Sequence, residues 1–312
     1  MWQSILDHFN TLEQRPVERL AIIVGGLLIL WMIEGAIPLM PLRYRKSKVR
    51  HASVNLAFTV IHLIIHTGFG VLIVLLSDWT KTEKWGIVHW LHLSLVGTII
   101  VSALVLDFFG GWFSHITEHK IPLFWRMHII HHSDTNVDVT TGLRHHPLES
   151  VWRGLFFLMG ILVSGSPIYA VMIYQTILTV FVAFTHANIS LPLWLDKSLS
   201  FLMVSPNMHK VHHHWKQPFT DSNYGAVFSI WDRMFGTFRT MKKEDIRYGL
   251  DRYYPEERDE DFGYLMKKPF LSLLEKNDLA QPEVQGGKTG VKTQKSLLGN
   301  SGPEANSTAA TG

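Results

Sequence analysis

A chain of 312 residues that is 47% hydrophobic and only 18% charged, with a mean hydropathy of +0.12, has the balance of an integral membrane protein rather than of a soluble domain. It contains no cysteine, which excludes disulfides, thiolate zinc sites, iron–sulfur clusters and thiolate haem and leaves 18 histidines as the main metal-binding inventory. The net charge of +3 is scattered, and its densest run, LRYRKSKVR (42–50), follows an apolar segment, so membrane orientation accounts for it and no nucleic-acid partner is expected.

In chain order, residues 1–19 form a short N-terminal segment without a positively charged leader and cleavage site, so a removed signal peptide is not expected. Residues 20–40, LAIIVGGLLILWMIEGAIPLM, are long enough to cross a hydrocarbon core, with Glu34 as their single charge. Residues 55–77 and 86–112 make two more candidate spans. The apolar run 151–186 is interrupted at GSP (165–167), which predicts a hairpin with its turn there. The spans therefore occupy 20–112 and the hairpin, and residues 241–276 form a cytoplasmic extension. From about 277 the composition turns to Gly, Ser, Thr, Lys, Asn and Gln, as in QGGKTGVKTQ, which predicts a disordered tail over 277–312.

The basic loop 41–53 belongs on the cytoplasmic side. Counting spans from it places the 78–85 loop opposite and returns both 113–150 and 187–250 to the cytoplasm. Those two segments carry the densest histidine clusters, so one shared site is possible.

His115 and His119, spaced i, i+4, lie on one helix face. His128, His131 and His132 in WRMHIIHH fall within an arc of about 100° at helical pitch, and His209, His212 and His213 in MHKVHHH repeat the spacing. His214 falls outside that arc. His186, at the end of the hairpin, and His146, in RHHPLE, are further candidates. His8, His51, His62, His66, His89 and His92 are read as hydrogen-bonded interfacial side chains. Crowded imidazoles repel when charged and lack donors when neutral; a cation resolves both by accepting a lone pair from each ring. One metal takes about four to six ligands, so eight or more imidazoles imply two. Such an all-nitrogen pair suits iron, zinc or copper and, with open positions, the reduction of O2.

Read as one string, DFFGGWFSHITEHKIPLFWRMHIIHHSDTNVDVTTGLRHHPLE resembles the fatty acid hydroxylase/sterol desaturase superfamily of membrane di-iron oxidoreductases. FTHANISLP (184–192), the second histidine triplet and TDSNYGAVFSIWDRMFGTF (220–238) extend the resemblance over roughly residues 86–240. It implies an all-α membrane protein of about four to five membrane-embedded helices, with a cytoplasmic helical cap carrying a di-metal site. It implies as metal ligands His115, His119, His128, His131, His132, His186, His209, His212 and His213, with His146 a tenth member as ligand or support and His145 less secure. Asp107, Asp134, Asn188 and Asn223 match motif positions; the first three could orient ligands by hydrogen bonds, and Asn223 belongs with Tyr224 and Gly225 to the segment closing the cap. Trp231, Asp232 and Arg233 are expected to do the same.

The implied activity is O2-dependent hydroxylation or desaturation of a lipid C–H bond, with two iron ions (Fe2+/Fe3+) and a fatty acyl, sterol or related lipid as substrate. Neither a GxGxxG fingerprint nor the HPGG of a fused cytochrome b5 is present, so a separate donor is implied, such as ferredoxin or cytochrome b5 with its reductase. A bacterial inner membrane fits better than the endoplasmic reticulum. Two rival readings use parts of the same sequence. HITEH (115–119) fits H-x-x-E-H and would make Glu118 the general base of a zinc peptidase. A haem-binding or metal-transport membrane protein would also use histidines, but haem needs two, and a transporter places them within spans.

Overall fold

The structure is a computed structural model that describes residues 7–9, 11, 14–44, 46–251, 258 and 260–274. The expected tail 277–312 lies outside the described residues, which contain helices and three isolated bridges but no strand.

Helix α1, Pro16–Ala36, ends four residues before the apolar segment does. Pro38 has no N–H to continue the ladder, and residues 37–40 instead pair with the 188–190 segment: Leu39 N donates to Asn188 O and Ser190 N to Ile37 O. The apolar part of α1, Leu20–Ala36, is shorter than a full span. Its single charge explains the arrangement. Glu34 is 3% exposed and accepts from Lys48 Nζ (2.7 Å), Val139 N (2.9 Å) and Asn188 N (3.0 Å), so this end of α1 docks on protein and not on lipid.

Helix α2, Lys48–Thr82, is 35 residues long, about 52 Å at 1.5 Å per residue, more than a bilayer core requires. The excess lies at its beginning. There Val54 and Phe58 pack with Ile130 and Leu265 in a small core, whereas further along Ile64 (70% exposed) and Leu75 (61%) point outward. The third expected span begins later than its hydropathy suggested: Ile87–Trp90 is a single turn, and the continuous helix runs from Leu95 to Lys120. It is built from α3, Leu95–Leu106, a π-helical stretch over Asp107–Phe113, and α4, Ser114–Lys120. Helix α5 is Pro122–His132, and the hairpin is α6, Pro147–Ser164, and α7, Ile168–His186. Gly165 closes α6 in the left-handed conformation (φ 72°), which glycine adopts without penalty. Among the described residues four stretches, Lys48–Trp90, Leu95–Lys120, α6 and α7, are long and apolar enough to cross a membrane.

Lipid tails remove the hydrophobic drive between such helices, leaving close packing to hold them. Gly154 of α6 shows this, since a Cβ there would lie 2.6 Å from the Phe69 ring of α2. Leu106, Phe157, Ile161, Val171 and Tyr174 fill the centre of the bundle.

After α7 come α8, Leu193–Leu202, α9, Pro206–His212, α10, Ile230–Met234, and α11, Phe262–Leu274. Helices α5, α6 and α9 each begin with proline, whose missing N–H would have no partner in a first turn anyway.

Candidate metal centre

Nine of the ten implied ligands converge. In one cluster the nitrogens of His115, His119, His128, His132 and His212 lie within 4.8 Å of one another; in the other those of His131, His186, His209 and His213 do the same. Each has its own local origin. The π-helical stretch before α4 widens the turns and resets the phase, so His115 and His119 face inward while Asp107 faces α7. On α5 the i, i+3, i+4 triplet divides: His128 and His132 enter the first cluster and His131 the second. On α9, His212 enters the first, and His209 with the C-cap residue His213 the second. His186 closes α7, whose last carbonyls are capped by the buried Lys210, bonded to Thr185 O (3.3 Å) and His186 O. The clusters adjoin, with the His132 and His213 rings 4.8 Å apart.

The outward nitrogens decide the tautomers. His115 Nδ1 donates to Tyr224 O (2.8 Å), His212 Nδ1 to Ser222 O (2.7 Å) and His186 Nδ1 to Val182 O (2.7 Å). A carbonyl can only accept, so the inward Nε2 of each neutral ring is a bare lone pair. Two carboxylates act likewise: Asp221 on His119 Nδ1 (3.2 Å) and Glu149 on His128 Nδ1 (2.9 Å). The consequence is electrostatic. Nε2 of His115 and Nε2 of His128 face each other at 3.1 Å, both lone pairs, and the buried Nε2 atoms of His119, His132, His212 and His213 have no hydrogen-bond partner. Burial, aided by the neighbouring imidazoles, holds His128, His131, His132, His209 and His213 well below the usual histidine range. Burial brings His212 down to about 4. Neutral rings with converging lone pairs are what a divalent cation requires, and the donor set fits one in each cluster.

The other expected residues are placed elsewhere. His146 stands apart from both clusters: it is the N-cap of α6, where its Nδ1 accepts from Leu148 N (3.2 Å) and its Nε2 faces Met266 O (3.4 Å). Its neighbour His145 stacks on His131 (centroids 4.7 Å) and bonds Glu149 (2.7 Å) through Nδ1. His214 accepts from Arg247 N (3.2 Å), and His62 bonds Ser150 Oγ (2.7 Å) across α2 and α6.

Asp107, Asp134, Asn188 and Asn223 orient backbone and other side chains, and none bonds a ring of the nine. Asp107 accepts from Tyr174 Oη, Val227 N, Phe228 N and Trp231 Nε1, clamping the downstream segment to α3 and α7. Asp134 holds His51 (2.9 Å), and Asn188 bonds Met40 O (2.8 Å). Asn223, with a left-handed φ of 53°, joins Met208 O of α9 to Arg239 O, both at 2.9 Å. Asp232 bonds Tyr224 N (2.8 Å) and Gly225 N (2.9 Å), supporting the carbonyl that His115 uses.

Sequence reasoning missed the groups that do hold the rings. Arg153 of α6 bridges Glu149 (3.1 Å) and Glu118 (2.5 Å), and Glu149 Oε1 accepts from His128, His145 and Arg153 together. The signal was available: charges beside or within apolar spans are costly and mark sites. Glu118, the base required by the peptidase reading, is held by Arg153.

An all-helical membrane protein with two adjoining, buried, all-imidazole metal-binding clusters defines a class of histidine-box membrane proteins. Residues 99–237 match the family model "Fatty acid hydroxylase", so this stretch of the chain carries a domain of that kind. It is 33% identical over 147 residues to an alkylglycerol monooxygenase of Xenopus tropicalis, covering 47% of this chain and 31% of that protein. Identity is 31% over 147 residues to the Homo sapiens alkylglycerol monooxygenase (47% of this chain, 32% of that one) and 27% over 140 residues to the ornithine lipid hydroxylase OlsE of Rhizobium tropici (45% and 41%). The chain thus spans about a third of the length of the alkylglycerol monooxygenases it matches. No solved structure matches it.

Proposed function

We propose that this protein is a membrane-bound, non-haem di-iron oxidoreductase that uses O2 to hydroxylate, or alternatively desaturate, a C–H bond of a lipid. The observation that carries the reading is the pair of adjoining all-histidine clusters inside the matched domain. The five-imidazole cluster would hold one iron and the four-imidazole cluster the other; iron so held supplies O2 binding and the oxidising power for an unactivated C–H bond. The protein's own groups do the rest. Tyr224 O, Ser222 O and Val182 O fix three tautomers, Glu149 and Asp221 hold two more rings, and Arg153 holds the Glu149 carboxylate in place beside His128. Complete burial of His128, His132 and His212 keeps bulk water from these rings.

Hydroxylation consumes two electrons and two protons besides O2 and releases one water. No nucleotide fingerprint is present, so the electrons come from a separate carrier such as ferredoxin or cytochrome b5 with its reductase. The lipid relatives support a polar lipid, alkylglycerol or aminolipid, as substrate class.

Protein produced with ample iron and purified anaerobically should carry close to two metal ions per chain, mainly iron. Lipid mass spectrometry of cells with and without the gene should reveal a lipid heavier by one oxygen atom, or lighter by two hydrogens. One metal per chain, or unchanged lipids, counts against the reading.

We place the metal clusters on the cytoplasmic side, in a bacterial inner membrane in preference to the endoplasmic reticulum. The support is the basic 41–53 segment, which is held to the end of α1 through Lys48–Glu34 (2.7 Å) and to the loop after α5 through Tyr44–Asp138 (2.9 Å). The native chain has no cysteine, so Thr82→Cys and Gln217→Cys can be labelled singly in intact cells. Labelling from opposite sides is expected; labelling from the same side overturns the topology.

A further inference from the structure

Helix α8 is inverted in polarity. A helix on a water-covered surface turns its apolar stripe inward, but here Asp196 and Ser200, each 8% exposed, face the protein. Trp194 (68% exposed), Phe201 (65%), Leu193 (63%) and Leu202 (57%) face away from it. Ser198 lies on the same outward arc, and its hydroxyl turns back to Trp194 O (2.8 Å) instead of reaching for solvent. Lys197 is exposed on the same arc, between Leu193 and Trp194 at helical pitch, and its flexible stem can carry the amine to a polar layer.

The outward surface continues onto α10. Arg233 Nη2 and Ser229 Oγ both donate to Ser200 O (2.8 and 2.7 Å), and the Arg233 guanidinium lies 5.6 Å from the Phe201 ring centre. Beside it, Met234 is 68% exposed, and Phe235 stacks on Trp112 at 4.4 Å and approaches Phe108 at 6.0 Å. Both of those aromatics belong to the spanning stretch Leu95–Lys120. The apolar patch thus packs, through the buried Trp112 and the partly exposed Phe108, against a stretch long and apolar enough to cross a membrane.

Ten residues of helix measure about 15 Å, half of a hydrocarbon core, so α8 cannot cross. An apolar face of this size on a short helix, packed beside a candidate spanning stretch and interspersed with the cations Lys197 and Arg233, fits the boundary between headgroups and acyl chains. We propose that α8 and α10 lie in the plane of the membrane, with Trp194, Phe201, Met234 and Phe235 immersed in that boundary layer. The coupling to the metal centre is direct. Three residues separate α8 from α9, which bears His209 and His212, and Asp232 of α10 holds the Tyr224 backbone whose carbonyl fixes His115. The depth of this patch thus sets the depth of the metal pocket relative to the leaflet.

The cysteine-free full chain allows nitroxide labels at Trp194→Cys, Phe201→Cys and Phe235→Cys in phosphatidylcholine vesicles, with Ile64→Cys on α2 as the lipid reference and Gln217→Cys as the water reference. At 194, 201 and 235 molecular oxygen should relax the label several-fold more than a water-soluble nickel chelate does, as at 64 and opposite to 217. Labels at 194 and 201 that behave like 217 overturn the proposal. So does exclusion of both agents there, which would mean a second copy covers the face. The unlabelled native protein gives an independent reading: a photoactivatable lipid should mark the peptide 193–202, and its escape from labelling refutes the placement.

Discussion

Replacing His131 with alanine will abolish product formation and lower bound iron from about two ions per chain toward one. His131 belongs to the four-imidazole cluster with His186, His209 and His213, and its Nε2 lies 3.1 Å from that of His186. Losing one of four donors leaves a coordination set that can no longer retain its cation, while the five imidazoles of the other cluster keep theirs. Loss of an outer partner of a ligand already costs about 10–100-fold, so loss of the ligand itself should exceed about a hundredfold. Two controls isolate the effect. His62→Ala removes a hydrogen bond to Ser150, worth about 0.5–1.5 kcal/mol, from a ring 6.5 Å from the His145 ring. His214→Ala removes an acceptor for Arg247 N outside both clusters. Both should retain most activity and all their iron. The three variants are compared at equal membrane protein, by iron analysis and by product. Full activity in His131→Ala would remove it from the ligand set, and iron loss in His62→Ala would extend the site to α2.

The second large effect is expected at Arg153→Met. Arg153 joins Glu118 and Glu149, each about 1% exposed or less at the side chain. Its removal leaves two buried carboxylates beside the five-imidazole cluster without their guanidinium partner, and breaking such a pair costs about 3–5 kcal/mol. The detergent-solubilised variant should melt at a distinctly lower temperature and lose iron from the five-imidazole cluster first, because Glu149 also holds His128. A second change tests the cause. Glu118→Gln on the Arg153→Met background removes one of the stranded charges and should recover part of the lost stability, a non-additivity that a simple packing defect would not show. Unchanged stability in Arg153→Met would mean that the three groups do not act together.

These predictions separate what was legible along the chain from what was not. The histidine triplets were legible because helical pitch brings i, i+3 and i+4 side chains to one face, so spacing alone implied convergence for 128–132 and 209–213. His146 has the same chemistry, but it sits at a helix N-terminus, where its ring is engaged by Leu148 N. Nothing in its spacing distinguishes a cap from a ligand. Asp107 and Asn188 show a related limit. They are buried polar groups within a quoted motif, yet they hold the segments around the site and leave the rings to others.

By itself the sequence determined the membrane class, the hairpin turn at Gly165 and the inventory of imidazoles, because composition, backbone conformation at glycine and helical periodicity are local properties. Only the tertiary structure decided the rest. It divided the α5 triplet between two clusters, since that depends on which helices lie opposite each ring. It moved the beginning of the third span to Leu95, because His92 takes a left-handed φ of 48° and Ser94 then caps a new helix by accepting from Gly97 N. It gave the tautomers to Tyr224 O, Ser222 O, Glu149 and Asp221, which lie 109, 10, 21 and 102 residues from the rings they hold. Such hydrogen bonds are fixed by distance in space, and separation along the chain carries no record of them.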